Sequence, residues 1–272
     1  MVSVASTVVA LAYLHKLAEE ETGPGAGRRA TLYLALFPTA VFLVAPYTEA
    51  LFLAGAVPAF YYARRRRWHL VGLPAMVAMG ARFAGVFLLL GLAGELFRQR
   101  RRSRGVVIRA GAAIAAGALP LLFYSAYLAQ VKDDAFHFVT DQREGWGREL
   151  TNPIAAFTKT WGISQADHYP SDWIFAWRLE VVAALVGVGL VVIAVKAGEW
   201  GYAAFMGSMM AVLLSSTWYF SIPRMLLTFF PAALFLARAT RNRSELHEIA
   251  LVLLAPLAAL GVVAFTSGAW FF

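Results

Sequence analysis

Residues 69–97 read HLVGLPAMVAMGARFAGVFLLLGLAGELF, a long apolar run with Arg82 in its interior. The run exceeds the roughly 20 residues that one helical membrane crossing requires. Basic clusters flank it on both sides, Arg64 to Arg67 before it and Arg98 to Arg104 after it. Such clusters mark the cytoplasmic side of a membrane, and a single crossing would carry one of them across. The conflict disappears if 69–97 is a broken hairpin of two half-helices. At about 1.5 Å per residue, 69–80 rises roughly 18 Å and 83–97 roughly 22 Å. Neither comfortably spans a core about 30 Å thick. The turn falls in Gly80-Ala81-Arg82-Phe83-Ala84-Gly85, which places Arg82 at an apex pointing outward.

The rest of the chain fits the same pattern. It is 60% hydrophobic and 15% charged, whereas soluble domains are nearer 45–50% and about 25%. Apolar spans lie at 2–18, 30–45, 46–62, 69–97, 106–130, 178–197, 200–217, 224–240 and 248–269. No period-2 alternation of the outer-membrane barrel kind is present. The reading is an all-α polytopic membrane protein of about 8–10 segments, one membrane domain over 1–272. Residues 131–177 form its non-cytoplasmic loop, and Trp270-Phe271-Phe272 end on that same side. Net charge is +8, from 24 basic and 16 acidic residues. The basic residues stand in short clusters between apolar runs, so topology explains them better than nucleic acid does. There is no cysteine, hence no disulfide framework or thiolate metal site. Five histidines lack the HxxxH and HExxH spacings of a zinc site, and no cofactor is implied.

Three charged residues stand where charge is costly. Arg82 is too far from either end of its run to snorkel easily, and fits either an ion pair with a neighbouring helix or an anionic headgroup. Glu49, in the outer corner Pro46-Tyr47-Thr48-Glu49, opens an apolar helix. It fits either an N-terminal cap or a site-lining acid. Arg224 follows Ser221-Ile222-Pro223 and fits interfacial snorkelling or a second phosphate clamp. The outer loop is dense in polar and aromatic groups: Asp133, Asp134, Gln142, Trp146, Arg148, Asp167, His168 and Trp173 among them. Aromatic faces beside hydrogen-bonding edges suit a sugar; a solvated loop with an aromatic belt is the alternative. His137 and His168 read as plain surface histidines.

Leu36-Phe37-Pro38-Thr39, Tyr47-Thr48-Glu49 with Leu51-Phe52-Leu53, Arg64 to Trp68, Gly72-Leu73, Arg82 and Gly85 together carry a resemblance. So do Asp133-Asp134-Ala135-Phe136, Gln142, Trp146, Arg148 and Pro153, then Ile222-Pro223-Arg224 with Phe230-Pro231. In order and spacing the set resembles the PIG-V-like (GPI mannosyltransferase 2-like) polytopic mannosyltransferases of the GT-C class, in their actinobacterial-type form. The resemblance spans most of 34–235. It implies an enzyme of a bacterial plasma membrane, moving mannose from a polyprenyl-phosphate-mannose donor to a glycan, lipid or protein acceptor on the non-cytoplasmic face. Arg82 and Arg224 would hold the donor phosphate, with Tyr47, Gln142, Trp146 and Arg148 lining the substrate. The family's additional first span, and the first outer loop with its catalytic aspartate, have no counterpart before residue 30. The alternating topology likewise starts Met1 on the outside. The expectation is that the chain is truncated, that its start is misassigned or that it has lost the activity, with Glu49, Asp133 and Asp134 as the fallback base candidates. Two other classes fit the same pattern: a lipid or solute transporter or flippase, and a non-catalytic subunit of a glycosyltransferase complex.

Overall fold

The computed structural model describes residues 1–99, 103–166 and 169–269. Its helices are α1 (Val2–Thr22), α2 (Ala26–Ala35), α3 (Glu49–Arg64), α4 (Gly72–Ala81), α5 (Gly85–Arg98), α6 (Arg104–Lys132) and α7 (His137–Trp146). There follow α8 (Pro153–Ile163), α9 (Ser171–Lys196), α10 (Trp200–Leu214), α11 (Ile222–Leu226), α12 (Phe230–Thr240) and α13 (Ser244–Thr266). Among the described residues the architecture is all-α, with one isolated bridge between Leu150 and Ser216. Residues Asp167 and His168 of the loop 131–177, the basic positions 100–102 and the terminal 270–272 lie outside the described residues.

The apolar run 69–97 splits where the charge argument places the break. Arg82 leaves the helix with φ −157° and ψ 149°, and α5 begins three residues later. The amides of Gly85 and Val86 donate to the carbonyls of Arg82 and Phe83 at 2.9 and 3.0 Å, which closes the turn. Gly85 is required there because a Cβ would run into the backbone of Met79.

Long-range pairs fix the direction of each helix. Arg82 pairs with Glu49 at the start of α3. Gln99, just past α5, donates to the carbonyl of Ala63 near the end of α3 at 2.9 Å. So α4 climbs from the Arg64 end of the bundle to the Glu49 end, and α5 returns. The helices α6, α10 and α13 also climb, and α1 is antiparallel to α2. Thus Gly72 faces Ala113 and Ala116 while Gly80 faces Pro120, which makes α4 and α6 parallel. Glu199, before α10, sits 2.7 Å from Arg64. On α13, His247 meets the hydroxyl of Tyr33 at 2.7 Å, and Phe265 packs edge-on against Phe42 at 5.4 Å.

Close helix contacts run through small residues, which let backbones approach. A Cβ on Gly55 of α3 would lie 2.5 Å from the amide nitrogen of Ala78 and the carbonyl of Pro74 on α4. Gly91 and Gly94 open α5 to α10 in the same way. The space between is filled by fully buried aromatics, Phe52, Phe60, Tyr202, Phe205, Phe229 and Phe230. Phe60 meets Tyr202 at 5.0 Å and Phe230 at 5.6 Å.

Three helices, α6, α9 and α13, are long and apolar enough to cross a membrane; Trp68–Ala81, α10 and α12 are apolar but shorter. Several expected spans are subdivided. The stretch 30–45 is α2 followed by a 3-10 turn at Ala40–Leu43, because Pro38 has no amide to donate and disfavours helix at Phe37. The stretch 224–240 is α11 and α12, with Pro231 at the first turn of α12. The loop 131–177 is largely helical: α7, α8 and the first turns of α9 lie within it.

Candidate functional site

At the Glu49 end, three elements converge on one carboxylate. Glu49 is the first residue of α3 and is fully buried, with no side-chain cap at that terminus. Its Oε1 accepts from Nη1 of Arg82, at the hairpin turn, and from Nε of Arg224, on α11. Two guanidiniums on one carboxylate leave a formal surplus of one positive charge. The arginines keep 12% and 18% of their side chains exposed, against none for Glu49, so the surplus lies at the accessible rim.

Each arginine is held by more than the ion pair. Nη2 of Arg82 lies 3.3 Å from the sulfur of Met225. The Arg224 guanidinium stands over the rings of Tyr47 and Phe42 at 4.4 and 4.7 Å, and those rings meet edge-on at 4.9 Å. Stacking of this kind suits the planar guanidinium and restricts its rotamers. The hydroxyl of Thr39 donates to the carbonyl of Pro223 at 3.3 Å, tying the segment after α2 to α11. The residues Tyr47, Glu49, Arg82 and Arg224, separate in the sequence, therefore form one constellation. Among them Glu49 makes an ion pair rather than a cap, and Arg224 turns inward rather than snorkelling.

The substrate-lining and base candidates of the loop are placed differently. Asp134 is occupied locally: Oδ1 accepts from the amide of Phe136 at 2.9 Å and Oδ2 from the hydroxyl of Thr140 at 3.2 Å. Asp133 ends α6 in the left-handed region, φ 54°, with its side chain exposed. Gln142 and Trp146 are exposed on α7, and Trp146 packs on Phe220 at 6.0 Å. Nε of Arg148 donates to the hydroxyl of Ser216 at 3.1 Å, and its guanidinium lies 5.9 Å from the Phe220 ring. Burial holds the Arg148 guanidinium below the usual arginine range, with the nearby Glu180 carboxylate pulling the other way. The loop approaches the hairpin apex through Phe138, whose ring is 5.5 Å from that of Phe83. It joins the segment before α11 through the backbone amide of Thr151, which donates to the carbonyl of Ser215 at 2.6 Å.

Sequence reading passes over Glu180. It is a buried carboxylate on α9 that accepts from the amides of Ser221 and Ile222 at 2.5 and 2.8 Å. Its signal was available: an acid inside the apolar stretch 178–197 is costly unless it has partners.

A second ion cluster, also passed over, closes the Arg64 end. Arg64 is 2.8 Å from Glu21, 2.7 Å from Glu199 and 3.6 Å from Glu95, and its guanidinium lies 4.0 Å from the Tyr202 ring centre. Nε of Arg98 is 2.8 Å from Glu95, and Arg238 reaches Glu199 and Glu21 at 3.5 and 3.7 Å. The hydroxyl of Tyr202 donates to Glu21 at 2.7 Å. A cleft of about 320 Å³ opens here between α1, α3, α5 and α12. Burial alone would push the Glu199 carboxyl up, but Arg64 with its hydrogen bond, Arg98 and Arg238 hold it below the usual carboxylate range. Read from sequence, Arg64 is one of four arginines that mark a membrane face. In the fold it alone turns inward, while Arg65 to Arg67 stay exposed.

Among the described residues, no group of three or more His, Asp or Glu is arranged to hold a metal. No family model, curated protein or solved structure matches this chain.

Proposed function

We propose that this chain is a membrane glycosyltransferase that moves mannose from a polyprenyl-phosphate-mannose donor to an acceptor at the Glu49 end, on the non-cytoplasmic face of a bacterial plasma membrane. The polytopic GT-C arrangement belongs to this reading. It is supported by three full-length apolar helices and by the alternation of the chain between two ends. The observation that carries the reading is the pair Arg82 and Arg224 on the single carboxylate of Glu49. One surplus positive charge beside apolar helices suits one phosphate on an isoprenoid tail. In the reaction the acceptor hydroxyl oxygen attacks the anomeric carbon and the bond from that carbon to the phosphate oxygen breaks. The phosphate leaves with the electron pair, and a carboxylate takes the hydroxyl proton. The charge that grows on the leaving phosphate is stabilised by preorganised donors, here the two guanidiniums.

Among the base candidates, Asp134 has both oxygens engaged, by Phe136 and Thr140, whereas Glu49 accepts both arginines on Oε1 and its buried Oε2 has no hydrogen-bond partner among the described residues. That leaves Oε2 of Glu49, and Asp133 exposed at the end of α6, as the carboxylates to take a proton. Tyr47, Gln142, Trp146 and Arg148 serve as the sugar- and acceptor-facing groups. The test is mannosyl transfer by purified full-length protein from polyprenyl-phosphate-mannose. Arg82→Ala and Arg224→Ala should each lower turnover by about 10²-fold, the usual scale for losing one such donor. Unaltered turnover in Arg82→Ala removes that residue from the mechanism.

The transporter reading is favoured by one observation. The bundle carries a buried ion cluster at each end, around Glu49 and around Arg64, as two gates would. Flux of lipid or solute across liposomes holding the protein, with no sugar transferred, decides for it.

A further inference from the structure

Glu180 is a buried charge with a defined task. It lies on α9, 3% exposed, and both of its oxygens are occupied by backbone amides of the segment that begins α11. Ser221 sits there at φ 62° and ψ 20°, a left-handed conformation that costs a non-glycine residue energy and persists only when its surroundings impose it. The helix it begins is five residues long, too short to hold itself together. Arg224 is on that helix, two residues beyond the second amide that Glu180 accepts.

The segment that carries Arg148 is fastened to the same stretch of chain. Arg148 is close enough to feel the charge of Glu180, and Arg148 is fastened to Ser216 just before the Glu180-bound amides. The stretch 216–222 therefore connects Glu180 both to the element that carries Arg224 and to the segment that carries Arg148.

We propose that Glu180 is a positioning residue for the anion site. It fixes the approach of Arg224 to Glu49 through the backbone of Ser221 and Ile222, and links that arginine to Arg148 in the outer segment. The proposal rests on the reading of Arg82 and Arg224 as the holders of a lipid-linked phosphate. Glutamine at 180 keeps the shape but has one acceptor oxygen for two amides. Aspartate keeps the charge but is one methylene short.

The experiment measures binding of farnesyl phosphate, with farnesol as the uncharged control, to the purified full chain by native mass spectrometry. The proteins are wild type, Arg82→Ala, Arg224→Ala, Glu180→Gln, Glu180→Asp and the double variant Glu180→Gln/Arg224→Ala. Loss of one hydrogen bond that aims Arg224 should weaken farnesyl phosphate roughly five- to tenfold in Glu180→Gln. Glu180→Asp should weaken it as well, with farnesol unchanged. In the Arg224→Ala background the Glu180→Gln effect should vanish, because residues acting through one another are not additive. A merely structural role would cost the same factor in both backgrounds, and that result overturns the proposal. So does wild-type affinity in both Glu180→Gln and Glu180→Asp when Arg224→Ala binds weakly, an outcome that leaves the phosphate reading standing. Wild-type affinity in both Arg82→Ala and Arg224→Ala overturns the phosphate reading itself, and the proposal with it.

Discussion

Arg224 and Glu49 stand 175 positions apart in the chain and share a hydrogen bond at one end of the bundle. The same carboxylate oxygen also accepts from Arg82, 33 positions from Glu49. The pair matters because a buried carboxylate cannot remain charged among apolar helices without such partners. It also keeps two guanidiniums side by side against their mutual repulsion.

Removing the acid should therefore be worse than removing either base. Glu49→Ala leaves two guanidiniums facing each other at a partly buried site. Breaking a buried pair in this way costs about 3–5 kcal/mol. Thermal unfolding in detergent should show the largest loss for Glu49→Ala, a smaller one for Arg224→Ala, and partial recovery in the double variant Glu49→Ala/Arg224→Ala. A double variant less stable than Glu49→Ala would show that the repulsion is not what Glu49 relieves.

The opposite end allows a contrast between adjacent residues. Arg64 is 9% exposed and meets three carboxylates, whereas Arg65 is 35% exposed and pairs with the half-exposed Glu20. Arg64→Ala should cost about 3–5 kcal/mol by removing the one cation that meets all of Glu21, Glu95 and Glu199, leaving them to the more exposed Arg98 and Arg238. Arg65→Ala should cost about 1 kcal/mol or less. Lysine at 64 should not restore stability, since the planar fork both reaches several acids and stacks on Tyr202. Equal losses at 64 and 65 would contradict the burial difference.

The Arg64 cluster also sets a pH dependence. Glu199 is held below the usual carboxylate range in the folded state, so the folded protein binds fewer protons there than the unfolded chain. The stability it contributes is complete above the unfolded value, about 4.3 for glutamate. It is lost as pH falls through the depressed folded value. Unfolding scans from neutral to acid pH should show wild type losing stability in that window. Glu199→Gln should start lower and show a shallower fall. Parallel curves would assign the acid sensitivity to other groups.

How much of this was legible in the sequence differs from residue to residue. The break at Arg82 followed from charge clusters on both sides of one apolar run, because membrane asymmetry constrains topology strongly. Convergence of Tyr47, Glu49, Arg82 and Arg224 was indicated only by their shared cost near apolar helices. Which partner each would find depended on helix directions that local pattern does not encode. Arg64 was indistinguishable from Arg65, Arg66 and Arg67, since a run of four arginines carries no sign of which one turns inward. Pro38 marked a break that hydropathy alone smoothed over, and the helices within 131–177 were hidden by the polar composition of that stretch. Glu180 was readable as a buried acid, but its partners are backbone amides, which have no signature in a sequence.

Packing through glycine gives a sharper contrast. A methyl on Gly55 would press on the backbone of Ala78 and Pro74, which cannot move aside as a flexible side chain could. Gly55→Ala should destabilise by about 1–3 kcal/mol, the range for overpacking a tight contact. Gly111 of α6 has open space around it. Gly111→Ala should be neutral or stabilise by up to about 1 kcal/mol through helix propensity. Melting temperatures of the two variants, measured side by side, should move in opposite directions or differ by the full Gly55 loss. A harmless Gly55→Ala would mean that α3 and α4 pack less closely than this structure has them.

The hairpin itself can be tested against a membrane. The chain has no cysteine, so single cysteines can be introduced without a background. Arg67→Cys and Ser103→Cys flank the hairpin at the Arg64 end, and both positions are exposed. Phe83→Cys lies at the apex, where the native ring is 51% exposed. In inverted and right-side-out vesicles, a membrane-impermeant maleimide should label positions 67 and 103 from the cytoplasmic side and position 83 from the other. That pattern requires α4 and α5, about 15 and 21 Å long as helices, to reach the far face together, by tilt, local thinning or a wet cavity at the apex. Labelling of 67 and 103 from opposite sides would make 69–97 a single crossing and reverse every helix after it. Labelling of all three from the cytoplasmic side would make it a re-entrant loop, and would place Arg82 and its partners on the wrong face for a donor presented outside.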